Sequence, residues 1–317
     1  MGCDMLYTGF DIGGTKCAVS LGEVDGNEMR IIKKEKFLTD HQSSPYDIID
    51  QMCETAKRLG IGKRIGISCG GPLDSERGII QSPPNLPGWD NVEIVKYVEN
   101  KLGVEARLQN DANACAVAEW KYGAGKGCEN MIFLTFGTGF GAGLILNGKL
   151  YSGSNDNAGE VGHVRLTDFG PVGYGKSGSA EGFCSGGGIA QIGKMKAIEQ
   201  FQTGKKVSYC DNIDDIDRIN AKIIAEYAGR GFEDAKEVYR ICGEKLGVIV
   251  SILIDILNPD RIVIGSVFQR CEELIRGSME TVINKECLEP ARKACKIVPA
   301  GLTENIGDYA AIAIAAM

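Results

Sequence analysis

Histidine is almost missing from this sequence, with two in 317 residues, so a metal centre built from histidines is excluded. The 12 cysteines include no Cys-x-x-Cys or Cys-x-Cys pair, which removes the spacing of a zinc ribbon or a dithiol redox site. No apolar run approaches the roughly 20 residues that cross a bilayer. The most apolar long segment, 246–257, is short, carries Asp255 and reads as a buried helix. No secretory hydrophobic region stands near the N-terminus. Met1-Gly2-Cys3 resembles a lipidation start, but Leu6 stands where that signal needs Ser or Thr. Basic runs with interleaved aromatics are also missing and the net charge is −7, so nothing points to a nucleic-acid surface. These absences leave a cytoplasmic globular protein whose scattered cysteines are reduced core thiols, with no membrane or nucleic-acid partner.

Glycine is what the chain has in quantity, 43 residues clustered at turns and loops, which suggests backbone placed close to a ligand. The length suits two domains. Residues 7–12 read as a strand ending in Asp11-Ile12-Gly13-Gly14-Thr15-Lys16, with further strands over 17–24 and 29–38. This is a β-meander with a glycine turn, neither the strand–glycine–helix of a dinucleotide site nor a Walker loop. Backbone N–H groups of such a turn can cradle phosphate oxygens. Thr15 and Lys16 add donors, and Asp11 could hold a metal ion through water. Taken alone, the turn also fits an ordinary hairpin. The design returns over 131–136, Gly137-Thr138-Gly139-Phe140-Gly141-Ala142-Gly143 and a strand over 144–150. Two such hairpins predict two related halves, each offering a phosphate loop.

Between and beyond them lie polar junctions. Residues 47–59 carry helical spacing with Asp47 placed to cap, and a strand over 64–69 runs into Gly70-Gly71-Pro72-Leu73-Asp74. The segment Pro83-Pro84-Asn85-Leu86-Pro87-Gly88-Trp89 is either a stiff surface loop or a rigid wall whose Asn85 amide meets ligand hydroxyls. A strand over 104–108 leads through Asn110 and Asp111 into a helix over 112–122. A carboxylate at such a junction is kept ionised and aimed by helix N–H groups, so Asp111 is either a helix cap or a general base. In Ala158-Gly159-Glu160-Val161-Gly162-His163, the pairing of Glu160 with His163 suits a grip on vicinal hydroxyls. Glu181 sits in a second polar, glycine-rich stretch, 177–188. Helices are predicted over 185–201, 217–229, 233–257, 272–285 and 308–317, and a strand over 261–265 ends at Gly265-Ser266, another possible approach to a nucleotide.

In order and number these motifs resemble the ROK family of sugar kinases and repressors, over essentially the whole chain. The resemblance implies an α/β protein with a two-domain actin/hexokinase-like (ribonuclease H-like) fold and a cleft. The smaller domain would span residues 1–110 plus 306–317, and the larger 111–305. It implies Asp111 as the base that takes a proton from a sugar hydroxyl. Gly71, Asn85, Asn110, Glu160, His163 and Glu181 would hold the sugar. Gly13, Gly14, Thr15, Lys16, Thr138 and Gly139 would face the phosphates of ATP, with Asp11 near Mg²⁺ and Gly265 against the nucleotide. A homodimer is implied as well. Many members carry a zinc site built from the histidine of the Gly-His pair and a Cys-x-Cys-Gly-x-x-Gly-Cys segment. Here the three cysteine positions hold Val172, Tyr174 and Ser179, and Cys184 cannot rebuild the site alone, so no zinc is expected. What braces the Glu160–His163 loop instead is open, with packing around Tyr174 and Phe183 as one guess. The expected activity is ATP-dependent phosphorylation of a hexose, glucose at its 6-hydroxyl by preference. The alternatives are a sugar-binding regulator or a fructose or N-acetylhexosamine kinase. A repressor is disfavoured because Asp11 arrives almost at once, leaving no room for a helix-turn-helix.

Overall fold

A computed structural model describes residues 5–317, so the Met1-Gly2-Cys3 start lies outside the described residues. The chain opens with the expected meander, β1 (Met5–Ile12), β2 (Lys16–Asp25) and β3 (Glu28–Leu38), paired antiparallel. Helix α1 (Pro45–Leu59) leads to β4 (Ile65–Cys69) and a small hairpin of β5 (Leu73–Asp74) and β6 (Ile79–Ile80). Then come α2 (Ile94–Leu102) and β7 (Ala106–Asn110). Strand β4 runs parallel to β1, and β7 parallel to β4, giving a sheet of order β3-β2-β1-β4-β7. The inner strand β4 is buried throughout and apolar but for Ser68. The edge strand β3 carries Lys33, Lys34, Glu35 and Lys36, charge that discourages pairing with another chain.

Helix α1 starts at Ser44, not at the Asp47 cap expected from the sequence. Asp47 N donates to Ser44 Oγ and Ser44 N to Asp47 Oδ2, both at 3.2 Å, a reciprocal capping box with Pro45 following it. Its buried residues Ile48, Ile49, Met52 and Ala56 share one core with Phe10, Val19, Ile67 and Leu108 of the sheet. The other sheet face is made for close approach. Gly9 and Gly66 are cross-strand partners, and a Cβ on Gly66 would stand 1.9 Å from the carbonyl oxygen of Ala311. The C-terminal helix thus lies with its backbone almost on the sheet, which explains why it buries Ala310, Ala311, Ala313 and Ala315.

Helix α3 (Asp111–Tyr122) follows β7 directly, and β8 (Met131–Phe136), β9 (Phe140–Leu146) and β10 (Lys149–Tyr151) form a second meander. Next are the hairpin of β11 (Val172–Gly173) and β12 (Lys176–Ser177), then α4 (Ala180–Phe183) and α5 (Gly186–Gln202). Helices α6 (Ala221–Gly229) and α7 (Glu233–Leu257) lead to β13 (Arg261–Ile264), α8 (Val267–Glu286), α9 (Glu289–Ala294), β14 (Lys296–Pro299) and α10 (Ile306–Ala316). The second sheet has the order β10-β9-β8-β13-β14. In both sheets the strands lie third-second-first-fourth-fifth, so the echo between the two glycine turns is a repeat of the whole sheet design.

Several boundaries differ from the sequence reading, among them the helix expected over 272–285, which begins at Val267. The expected strand over 144–150 is two strands, because Asn147 and Gly148 both take positive φ and turn the chain in a hairpin. The strand expected over 104–108 begins two residues later, after Gly103 closes α2 in the left-handed region. The helix expected over 217–229 starts at Ala221, where the Asn220 side chain accepts from Ile223 N. Packing groups the described residues up to Phe133 with Gly143–Ala158 and Gly301–Met317 in one compact unit. Leu134–Ala142 with Gly159–Ala300 form the other, so α3 goes with the first sheet and α10. No helix among the described residues is long and apolar enough to cross a membrane.

Candidate active site

In the first unit the parallel strands β4 and β7 end level with each other, Cys69 opposite Asn110, and their C-terminal ends bring several candidate residues together. Asn110 caps α3: its Oδ1 accepts from Ala112 N at 3.0 Å and Asn113 N at 3.4 Å. That leaves Nδ2, 3.4 Å from the Cβ position of Gly71, as the donor a ligand would meet. Asp111 is therefore not the cap. Its Oδ1 accepts from Ala112 N at 2.8 Å, while Oδ2 lies 4.0 Å from the Cβ position of Gly70. That same position is 3.6 Å from Asn85 Oδ1, so Gly70 lies between the Asn85 amide and the Asp111 carboxylate. Asp111 keeps exposed surface, yet the protein packed around its carboxylate displaces enough water to raise its proton affinity, and the Ala112 N–H opposes the rise. The proline-rich segment is pinned by Leu86 and Trp89, 1% and 2% exposed, which presents Asn85 on an anchored wall.

The first glycine turn closes through Gly13 N to Lys16 O at 3.2 Å. A Cβ on Gly14 would stand 2.5 Å from Asn85 O, so the turn and the proline-rich wall abut. Thr39 braces the turn from beyond β3, donating from Oγ1 to Gly13 O at 2.6 Å and from N to Thr15 O at 3.0 Å. The side chains of Thr15 and Lys16 are exposed. Asp11 points at the first turn of α10, where a Cβ on Gly307 would meet its Oδ2 at 2.5 Å. Burial, with the Asp111 charge second, lifts the Asp11 carboxyl to about 6 against Lys34, Lys36 and Lys16. Lys34 pairs with the buried Asp308.

Because the folded state holds the Asp11 proton more tightly than the unfolded chain, this group favours folding fully below its unfolded value of 3.8. That contribution fades as pH rises through about 6. Asp11→Asn is accordingly expected to stabilise the free protein at pH near 7.5 by about 1–3 kcal/mol and to change little near pH 4. Thermal melts of both proteins at the two pH values check this, and equal gains at both would refute it.

In the second unit, the turn at 137–139 closes through Gly137 N to Gly139 O at 3.0 Å, and Gly186 N donates to Gly137 O at 2.9 Å. Thr138 is exposed at its tip. Glu181, in the first turn of α4, accepts from Phe140 N at 3.1 Å, and a Cβ on Gly139 would stand 2.9 Å from the same oxygen. One carboxylate thus touches the turn expected to face phosphates and belongs to the stretch expected to hold sugar. Glu160 and His163 flank a single 3₁₀ turn, both exposed. Gly162 fits there because a Cβ would stand 1.9 Å from Phe140 O. Gly265 is buried and bonded to Leu134 O at 3.0 Å. It is followed by Ser266, whose φ of 52° puts a non-glycine residue in the left-handed region at the start of α8.

Sequence reasoning missed the supports. Gln109 Oε1 accepts from Asn110 N at 2.8 Å and Asn113 Nδ2 at 3.2 Å, and Glu119 is a fully buried carboxylate held by backbone amides. The signal for Glu119 was its charge within the apolar pattern of α3. The residues at the expected zinc positions do not fit that ion. Val172 has no donor atom, and Ser179 Oγ is engaged with Gly182 N and Gly173 O. Tyr174 lies 70% exposed with its ring edge-on to His163 at 6.1 Å. Phe183 is buried, against Gly170.

The ROK family model matches residues 7–317. A glucokinase of Thermotoga maritima is 28% identical over 310 residues, 96% of each chain. A xylose repressor of Caldicellulosiruptor bescii is 30% identical, covering 76% of this chain and 59% of that one. A ROK family glucokinase from Streptomyces griseus, solved in complex with glucose and AMPPNP, aligns with a TM-score of 0.77 at 27% identity over 98% of this chain and 99% of that one. With this likeness, the repeated meander-plus-parallel-strand sheets are those of the actin/hexokinase-like fold. The chain belongs to the ROK family.

Proposed function

We propose that this protein transfers the terminal phosphoryl group of ATP to a hexose, with glucose at its 6-hydroxyl as first choice and Asp111 as general base. The observation that carries the reading is the Asp111 carboxylate at the head of α3, with one oxygen held by Ala112 N and the other near Gly70, across from the Asn85 amide. Phosphoryl transfer asks little covalent chemistry of a protein; it needs positioning, charge stabilisation and a base at the nucleophile. Asp111 would take the hydroxyl proton as the new bond to phosphorus forms. Asn85, Asn110, Gly71, Glu160, His163 and Glu181 would hold the other hydroxyls, and Glu160, His163 and Glu181 together suit a hexopyranose with equatorial groups. The turns at Gly13–Lys16 and at Thr138-Gly139, with Gly265, would face the nucleotide. Mg²⁺, held through water near Asp11, would supply neutralisation of phosphate charge when bound. Glucokinases at this level of identity, together with a glucokinase complex, support the class of reaction. The choice of glucose rests on Glu160, His163 and Glu181 alone.

Similarity to a xylose repressor favours a second reading, a sugar-binding regulator. ADP release with ATP and Mg²⁺ across hexoses and N-acetylhexosamines separates the two. Sugar-dependent turnover supports the kinase and identifies its sugar, whereas sugar binding without turnover favours the regulator. Fructose or an N-acetylhexosamine as best substrate would displace glucose alone. We further propose a cytoplasmic homodimer, with residues 1–110 and 306–317 as the smaller functional half; light scattering after gel filtration tests the assembly.

A further inference from the structure

We propose that Gln191, Ser179 and Lys176 form a metal-free brace that holds the Glu160–His163 loop and Glu181 in place, with Gln191 as its main positioning residue. The proposal rests on the sugar-kinase reading for its effect on sugar binding, and on geometry alone for the brace itself. Gln191 projects from the second turn of α5 to the β11–β12 hairpin. Its Oε1 accepts from Val172 N at 2.9 Å and its Nε2 donates to Val172 O at 2.9 Å. One amide thus takes both main-chain groups of one strand residue, in the manner of a neighbouring strand. The Val172 side chain, 47% exposed, does little packing of its own.

From the hairpin the ties run outward to the loop. Lys176 Nζ donates to His163 O at 2.7 Å, and Arg165 Nη1 to Ser177 O at 2.7 Å. Leu166 N donates to Gly178 O at 2.8 Å, and Ala180 N to Val164 O at 2.8 Å. Ser179, fully buried, caps α4 by accepting from Gly182 N at 3.2 Å, and α4 carries Glu181. The pieces interlock without side chains: a Cβ on Gly182 would stand 2.2 Å from Pro171 O, and one on Gly188 2.1 Å from Gly182 O. Two of the positions where the family resemblance places zinc cysteines therefore have other duties here. Val172 is gripped through its backbone, and Ser179 through its hydroxyl. Gln191 touches neither Asp111 nor the glycine turns in any bond described above, so its loss should fall on sugar affinity and not on the chemical step.

The test compares wild type, Gln191→Ala and Lys176→Met by steady-state kinetics and by amide hydrogen exchange of residues 164–178 in the unliganded protein. For Gln191→Ala we expect sugar KM to rise about tenfold, which is about 1.4 kcal/mol, with kcat within about twofold. Exchange over 164–178 should quicken, and a zinc-selective chelator should leave the wild-type activity unchanged. Lys176→Met should show the same pattern at smaller size, and it carries the test if Gln191→Ala does not fold. Unchanged exchange and unchanged sugar KM in both variants would overturn the brace, as would stoichiometric zinc in the purified protein. Faster exchange in a protein that turns over no sugar would uphold the brace and sink the kinase reading. Normal turnover with unchanged exchange would do the reverse.

Discussion

Asp111→Asn is expected to lower kcat by about 10²–10⁴-fold, the usual contribution of a positioned general base, while sugar Kd measured by calorimetry stays within a few-fold of wild type. Asparagine keeps the size of the side chain and an oxygen for Ala112 N, so the first turn of α3 and the Asn110 cap survive. What is lost is the group that accepts a proton. The fold should not suffer either. Burial already disfavours the ionised form of Asp111, so a neutral side chain is expected to leave stability unchanged or slightly raised. In wild type, kcat/KM should rise with pH as Asp111 ionises, at a pH above that of an ordinary aspartate because burial raises its proton affinity. In Asp111→Asn that limb should vanish. A variant that retains full turnover with glucose, or with whichever hexose serves best, would remove Asp111 from the mechanism.

The sequence made the parts of this arrangement legible wherever chemistry is local. Asp111 and Asn110 stand at a strand–helix junction that the residue pattern alone marks, and both glycine turns are visible as interruptions of apolar strands. Assigning roles at the junction was harder. Both Asn and Asp are good caps, and only the geometry shows Asn110 spending its Oδ1 on the helix while Asp111 keeps one oxygen toward Gly70. The boundaries that moved, at Asn147-Gly148 and at Asn220, are turns and caps whose signals were present but outweighed by apolar neighbours. Supports from far along the chain were not legible at all. Thr39 under the first turn, Gln191 on Val172 and Gly66 beneath Ala311 each depend on partners that the spacing of motifs does not reveal. Glu119 stood out as a charge within the apolar pattern of α3, but its partners at 301–302 did not, and its removal should be felt most.

Glu119→Ala is expected to destabilise the protein by roughly 3–6 kcal/mol, a large share of the 5–15 kcal/mol that holds a typical protein folded. Glu119 is 0% exposed. Its Oε2 accepts from Ala124 N at 2.7 Å and Gly301 N at 3.0 Å, and its Oε1 from Leu302 N at 2.8 Å. Burying a carboxylate is costly unless such donors replace its water, and here amides from two separate loops do so. Truncation takes the acceptor from all three N–H groups, two of them half-buried at Ala124 and Leu302, at about 1–3 kcal/mol for each that water does not reach. It also frees the segment through which the chain returns to α10. A fall of about 5–15 °C in Tm should follow. Glu119→Gln is the sharper probe, because it keeps the shape but turns one oxygen into a donor facing a donor. It should lose about half as much as the alanine variant, and a Gln variant as stable as wild type would show that the charge is not what the loops require. Below its melting point the Gln variant should keep most of its kcat, because Glu119 lies two turns along α3 from Asp111. The two carboxylates of one helix are then separable by experiment: loss of rate with stability kept at Asp111, loss of stability with rate kept at Glu119.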